Sequence, residues 1–316
     1  MLTAVPRSAA TTLSTALWID LFDPTEDERQ RVEQATKLRI PTKAAIEEIE
    51  SSSRVFSEGA ALYLSTPVLP GTDWVTSAAT TVGFVLSATQ LVTLRFGQVA
   101  AFDAVTARLA NTDAPRAGDV FMTILEAIVE QAADTLELAS AELERVSHSA
   151  FRAEPPGRRH SVVKTSGILR GALRHIGRMG DGVSHIRETL LGIGRIASYV
   201  QETGQAIHGT VDPARLTAIR IDIGSLNEYL GHITNKIQFL LDATLGFINI
   251  EQNEIVKTLT IASVVGVPPV IVAGIYGMNF RLMPELGWRL GYPFALVLIV
   301  VSALLPIAWF KWRGWM

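Results

Sequence analysis

The sequence predicts an α+β cytoplasmic domain with long stalk helices, followed by two C-terminal transmembrane α-helices. Three observations carry this. Strand-like runs are confined to the first third of the 316 residues, helical periodicity takes over from Gly118, and two long apolar stretches follow Thr258. The expected domains are therefore 1–117, 118–257 and 258–316.

Composition agrees with a membrane part joined to a water-exposed part. Hydrophobic residues make up 48% and charged residues 19%, with a mean hydropathy of +0.27, too apolar for an ordinary soluble protein and too mixed for a polytopic one. Residues 258–316 carry a net +3, which leaves −6 for the first 257 residues of an overall −3. That acidic majority argues against a nucleic-acid partner, which requires clustered Lys and Arg. The absence of cysteine excludes disulfides, thiolate metal sites and a Cys nucleophile.

In chain order, Ala16–Phe22 and Ala60–Ser65 read as short strands, and Thr81–Ser87 with Gln90–Phe96 as a hairpin around Ala88-Thr89. Thr25–Leu38 and Lys43–Arg54 read as amphipathic helices, the first opened by Asp23-Pro24. Asp119–Phe151 and Ser161–Gln201 are long helical patterns joined by the turn Glu154-Pro155-Pro156-Gly157. A third helix starts after Asp212-Pro213. Its Leu216, Ile219, Ile223, Leu226, Leu230, Ile233, Ile237, Leu240 and Thr244 alternate spacings of three and four. The seam reads either as a core stripe or as a surface joining chains; read the second way, it holds an oligomer together with the first membrane helix. Unbroken from Pro213 to Phe280, the helix would be about 100 Å long.

Thr258–Phe280 spans 23 residues with no ionisable side chain except Tyr276, enough to cross the hydrocarbon. Tyr292–Phe310 is a second span of 19 residues, ended by Lys311, Trp312, Arg313 and Trp315. The eleven residues Arg281–Gly291 between them impose a hairpin. The N-terminus lacks the apolar stretch of a signal peptide, so both termini are expected in the cytoplasm.

A second face of the long helix carries Asp242, Gly246, Asn249, Asn253, Val256, Ser263, Val267, Val270 and Gly274, polar first and then small and apolar. Polar residues entering a span face a bundle interior or water, and two helices cannot enclose water. This face therefore lines a pore made by several chains, or else marks the headgroup boundary. Pro268-Pro269 remove two backbone donors in mid-span and free the carbonyls near Val264 and Val265.

At the end of the first span stand Tyr276-Gly277-Met278-Asn279-Phe280, then Met283-Pro284-Glu285-Leu286, Gly291-Tyr292-Pro293 and the tail Phe310-Lys311-Trp312-Arg313-Gly314-Trp315. With Gly246–Asn253 before them, these residues resemble the CorA family of magnesium and cobalt transport proteins, whose signature is Gly-Met-Asn at the end of the first of two C-terminal membrane helices. The likeness is detailed over 213–316 and architectural before that.

The resemblance implies a funnel-shaped homopentamer in the bacterial inner membrane, with no enzymatic activity and no organic cofactor. It implies passive uptake of Mg²⁺ driven by the membrane potential, with Co²⁺ and Ni²⁺ as further candidates and Mg²⁺ as a candidate regulator. Gly277, Met278 and Asn279 become the selectivity ring, and Asn253 and Asp242 polar rings further in. Asn279, Gly277, Asn253 and Asp242 are then the metal-handling residues; Val256, Leu259 and Val267 form the hydrophobic constriction. The chain departs from the pattern at two places. Arg281 stands in the outer loop, with Glu285, where many members carry an acid, and Ala218 stands where a stalk carboxylate contributes to the regulatory site, with Asp222 one turn away.

Other readings are weaker. Gly192-Ile193-Gly194-Arg195-Ile196-Ala197 fits a dinucleotide fingerprint, yet lies in a helical pattern with no preceding strand. The six histidines never fall at H-x-x-x-H spacing, and no phosphate-loop motif occurs. Two alternatives stand beside Mg²⁺ uptake: a Zn²⁺ transporter of the related ZntB type, and a membrane-anchored coiled-coil scaffold that conducts nothing.

Overall fold

The computed structural model describes residues 1–5, 12–48, 54–71, 74, 79–109, 116–151, 162–203, 211–278 and 283–315. They form two compact units. The first joins Met1–Pro155 to Gly171–Asp242, and the second joins Pro156–Arg170 to Ala243–Met316.

In the first unit, β1 (Leu2–Val5), β2 (Trp18–Phe22), β3 (Val55–Glu58), β4 (Ala61–Val68), β5 (Thr80–Leu86) and β6 (Leu91–Arg95) make one sheet in the order β1-β2-β6-β5-β4-β3. Every pairing is antiparallel except β2 with β6. The expected β5–β6 hairpin is present, with Val85 opposite Val92. Side chains alternate between two buried faces. Trp18, Leu62, Leu64 and Phe84 join the larger core, whereas Ile19, Tyr63, Val85 and Val92 pack with Val32, Ile40 and Ile46. A sheet covered on both faces encloses successive positions of a strand, as in Ala61–Thr66 of β4 and Leu91–Leu94 of β6. Pro67 is tolerated in β4 because β3 pairs only with Ala61–Leu64, so the missing donor falls beyond that ladder.

Helix α1 (Glu26–Thr36) opens with a capping box: the Glu28 amide donates to the Thr25 hydroxyl at 3.2 Å and the Thr25 amide to the Glu28 carboxylate at 3.0 Å. Lys37 closes it in the left-handed region, φ 58°. The second helix is shorter than expected. It runs from Lys43 to Ile46 as α2, ended by Glu47, and by Val55 the chain is already in β3, paired with Leu64; strand pairing outweighs helix propensity there. Residues 49–53 lie outside the described residues.

From Ala100 only helices follow among the described residues: α3 (Ala100–Leu109), α4 (Ala117–Phe151), α5 (Val162–Thr203), α6 (Pro213–Tyr276), one 3₁₀ turn (Pro284–Gly287) and α7 (Gly291–Trp312). The Glu154–Gly157 turn lies outside the described residues.

The seam on α6 is buried as the spacing predicts: Leu216, Ile219, Ile223, Leu230, Ile233, Ile237 and Leu240 are all enclosed. Its partners correct one expectation. The seam shares a core with Leu136, Ala139 and Leu143 of α4 and with Met179, Ile186 and Ile193 of α5, so the chain's own long helices cover it. It is a core stripe and not the surface that joins chains. An Arg215 clasp fixes the base of α6 to α4, donating to Glu126 at 2.8 and 2.6 Å and to the Thr123 hydroxyl at 3.1 Å. The Glu126 carboxylate holds the Arg215 guanidinium above its ordinary pKa.

Two glycines of α5 pack closely against other parts of the unit, and one of them, Gly192, opens the dinucleotide-like motif. A Cβ on Gly182 would lie 2.5 Å from the Trp74 ring, and one on Gly192 would overlap the Thr66 hydroxyl of β4. Gly192 thus allows sheet and helix to touch, inside a continuous helix that has no phosphate-binding turn.

Candidate functional site

Within the second unit, α6 and α7 are both long and apolar enough to cross a membrane, and their apolar stretches are almost wholly exposed. Residues on α6 that lose accessibility are Lys257, Ile261, Val265, Pro268, Pro269, Val272 and Tyr276. On α7 they include Gly291, Ala295, Ile299, Ser302, Pro306 and Phe310. Each set forms one stripe at spacings of three and four, the signature of two helices lying side by side. Pro268, Pro269 and Pro306 all fall on these stripes. Helix backbone freed by an interior proline is therefore screened by the neighbouring helix instead of facing lipid.

The residues singled out for a pore occupy the opposite side of α6. Asp242, Asn249, Asn253, Val256, Leu259, Ser263, Val267, Val270 and Gly274 are exposed, and at 100° per residue they lie within an arc of about 140°. Gly246 is half-buried on the same arc. Asn249 and Asn253 have no hydrogen-bond partner among the described residues. By contrast, Thr258 and Thr260 turn their hydroxyls back onto the Glu254 and Val256 carbonyls, at 2.9 and 2.8 Å. The amides of Asn249 and Asn253 are thus on the open face, ahead of an apolar wall of Val256, Leu259, Val267 and Val270.

That face ends at the triplet. The Gly277 amide donates to the Ala273 carbonyl at 3.0 Å, and the Met278 amide to the Ile275 carbonyl at 3.2 Å, so the last turn tightens from α to 3₁₀ geometry. The C-terminal carbonyls of a helix and its macrodipole place partial negative charge at this point. Gly277 and Met278 are both exposed. Asn279 and Arg281 lie outside the described residues.

Beyond the triplet, Pro284 opens the 3₁₀ turn and the Glu285 carbonyl accepts from the Trp288 amide at 3.3 Å. Trp288 meets Phe294 edge-on with centroids 6.3 Å apart. The far end of α7 closes with Gly314 at φ 72°. There the Trp315 amide reaches the Phe310 carbonyl at 3.0 Å and the Gly314 amide the Lys311 carbonyl at 3.2 Å. This is a Schellman motif, completed by the stacked rings of Phe310 and Trp315.

Sequence reasoning missed Glu251. Both its carboxylate oxygens are enclosed on α6 without a hydrogen-bond partner among the described residues, a costly state. Only tertiary burial distinguishes it from its exposed neighbours Gln252 and Glu254. In the first unit, Ala218 and Asp222 are exposed, and Asp222 borders a groove with Glu126 and Glu130. Those two glutamates are engaged by Arg215 and Arg108, and no group of three potential metal-binding acids or histidines occurs among the described residues.

Comparison with known proteins agrees with this architecture. The family model described as CorA-like Mg²⁺ transporter protein matches residues 14–312. The magnesium transport protein CorA of Haemophilus ducreyi is 32% identical over 319 residues, covering 100% of this chain and 96% of its own. That of Escherichia coli K12 is 31% identical over 306 residues, covering 96% and 93%. The structure of the CorA magnesium transporter from Methanocaldococcus jannaschii superposes with a TM-score of 0.74 at 19% identity, covering 95% of this chain and 91% of that one. On this sequence match and shared fold, the chain belongs to the CorA-like Mg²⁺ transporter family.

Proposed function

We propose that the protein is a passive, homopentameric Mg²⁺ channel of the inner membrane, with Co²⁺ and Ni²⁺ as further candidate ions. One observation carries the reading: α6 keeps a continuous face open from Asp242 to Gly274, polar where it enters the apolar stretch and ending at Gly277-Met278. Five such faces around an axis make a water-filled path that one chain cannot form. Mg²⁺ dehydrates reluctantly and prefers oxygen. A ring of Asn279 amides and Gly277 carbonyls at the negative ends of five helices suits the hydrated ion, and Asn253 and Asp242 supply further oxygen rings inside.

No catalytic step or ATP is required. A divalent cation moving inward through 100 mV gains about 4.6 kcal/mol, twice the value per elementary charge. Both termini are cytoplasmic in this reading and the loop from Arg281 to Gly291 faces outward. With Ala218 at the stalk position, sensing of cytoplasmic Mg²⁺ is weakened relative to the family pattern or relocated.

The test is reconstitution into liposomes with an imposed inside-negative potential and an entrapped Mg²⁺ indicator. The unmodified protein gives uptake that grows with the potential. Asn279→Ala abolishes it while native mass measurement still reports a pentamer. Unchanged flux in a well-folded Asn279→Ala protein reduces Asn279 to a helix cap. Monomers or dimers at all concentrations defeat the pentamer, and preferential Zn²⁺ flux, or none at all, selects the other two readings.

A further inference from the structure

Polar residues interrupt two neighbouring apolar strands at matching places. In the parallel register of β2 and β6, Asp20 stands beside Thr93 and Phe22 beside Arg95, so the two-residue period of a strand puts these side chains on one face of the sheet. Asp20 is 7% exposed and Thr93 is fully buried. The Thr93 hydroxyl donates to Asp20 Oδ1 at 2.8 Å and accepts from the Trp18 indole at 2.9 Å. Arg95 donates to Asp20 Oδ2 from Nε at 3.0 Å and from Nη2 at 2.8 Å. A well-packed apolar pair would hold such a place as firmly, without the desolvation of two charges, so the fold alone does not call for this pair.

Asp20 and Arg95 line a cavity of about 490 Å³ bounded by this sheet face and α3, within the size range of small-molecule sites. Arg95 is preorganised in its wall. The guanidinium lies 4.9 Å from the centroid of the Phe22 ring and 5.0 Å from that of Phe102, and Asp20 engages its Nε and Nη2. A guanidinium has five N–H donors. The three left over belong to the Nη1–Nη2 fork, and Nη1 has no hydrogen-bond partner among the described residues. That fork matches a carboxylate or a phosphate in two parallel hydrogen bonds.

The opposite wall sets a second requirement. Gln98 and, from α3, Asp103 line the same cavity; both are exposed and without a hydrogen-bond or ion-pair partner among the described residues. The guanidinium disfavours a bare cation, and the Asp103 carboxylate disfavours a small inorganic anion that offers it no donor. A ligand that answers both walls carries an oxyanion at one end and hydroxyl groups at the other. We propose that this cavity binds a hydroxylated organic phosphate or carboxylate, with the Arg95 fork holding the oxyanion and Asp103 accepting from the hydroxyls. The site lies within the first unit, so its occupancy is measured without reference to ion flux.

Isothermal titration calorimetry of the full-length protein in detergent and divalent-free buffer tests this, with AMP, glucose 6-phosphate, citrate and inorganic phosphate as probes. At least one of the three organic anions binds saturably with a Kd of about 1 mM or tighter, and inorganic phosphate binds about ten-fold more weakly or worse. The organic probe that binds separates a phosphate from a carboxylate ligand, and its affinity falls as KCl is raised. Arg95→Lys keeps a cation beside Asp20 but lacks the fork, and weakens the organic anion by about ten- to a hundred-fold, the worth of a charge-assisted hydrogen bond. Asp103→Ala, on the exposed side of α3, weakens the organic anion and leaves inorganic phosphate no weaker, a readout that stands even where Arg95→Lys fails to fold. Binding of none of the three organic anions overturns the proposal, as does inorganic phosphate binding as tightly as they do. Unchanged affinity in a folded Arg95→Lys protein, or in Asp103→Ala, places the anion elsewhere and overturns it as well.

Discussion

Gly291 sits against the backbone of Glu285 so closely that a Cβ would overlap the Glu285 carbonyl oxygen and lie 3.3 Å from its carbonyl carbon. Backbone cannot move aside as a flexible side chain can. Gly291 is buried, and its amide donates to the Trp288 carbonyl at 3.1 Å. The 3₁₀ turn after the triplet is thus locked onto the first turn of α7. Gly291→Ala is expected to destabilise this loop by about 1–3 kcal/mol and to reduce Mg²⁺ flux. Thermal unfolding and liposome uptake check it; an unchanged melting temperature and unchanged flux reject the lock.

Arg281 is the place where charge opposes the proposed cargo. In the proposed pentamer, five guanidiniums at the cation entrance would lower the local concentration of a divalent ion, doubly so for its charge, within a screening length of ~8 Å at physiological salt. Arg281→Glu should raise uptake at low external Mg²⁺, with the gain shrinking as salt rises. Equal flux at all ionic strengths means that Arg281 is a lipid-facing anchor instead.

Glu251 carries an enclosed carboxylate with no hydrogen-bond partner among the described residues. Replacing a buried, unsatisfied charge by a neutral isostere removes its desolvation cost. Glu251→Gln is expected to raise the melting temperature in detergent by about 2–4 °C, the shift that ~1 kcal/mol produces in a domain of 150–250 residues. A fall instead identifies a cation from a neighbouring chain as the missing partner.

At the start of α4, Arg116 donates to the Asp119 carboxylate at 3.0 and 3.2 Å, and this pairing holds the acid below its ordinary pKa. A carboxylate depressed on folding stabilises the fold above its ordinary value. That stability disappears as pH falls from the ordinary aspartate range to the folded value. An acid titration of thermal stability should be flatter over that window in Asp119→Asn than in the unmodified protein.

Much of the fold was legible because it rests on local periodicity. The α6 seam follows the three-four alternation from Leu216 to Leu240, and the β5–β6 hairpin follows two β-rich runs with a short gap. Features decided by distant partners were not legible. The edge strands β1 and β3 have four residues each, too few to establish a period, and α2 stops early because Val55 finds Leu64. The seam declared its own burial but not what buries it, since one strip of leucines and isoleucines fits a neighbour in the same chain as well as one in another. At the site, the face from Asp242 to Gly274 was readable as an angular pattern. Glu251 was not, because enclosure by the fold leaves no trace in local sequence.

The filling of the α6 seam by α4 and α5 has a consequence for biogenesis. The first unit covers this seam with helices of the same polypeptide. Folding of that unit is therefore a first-order event, set by the chain alone, and subunits can accumulate in native form before they meet. In the proposed pentamer, assembly is then a later second-order step, whose rate depends on protomer density in the bilayer and whose contacts lie on surfaces outside the seam.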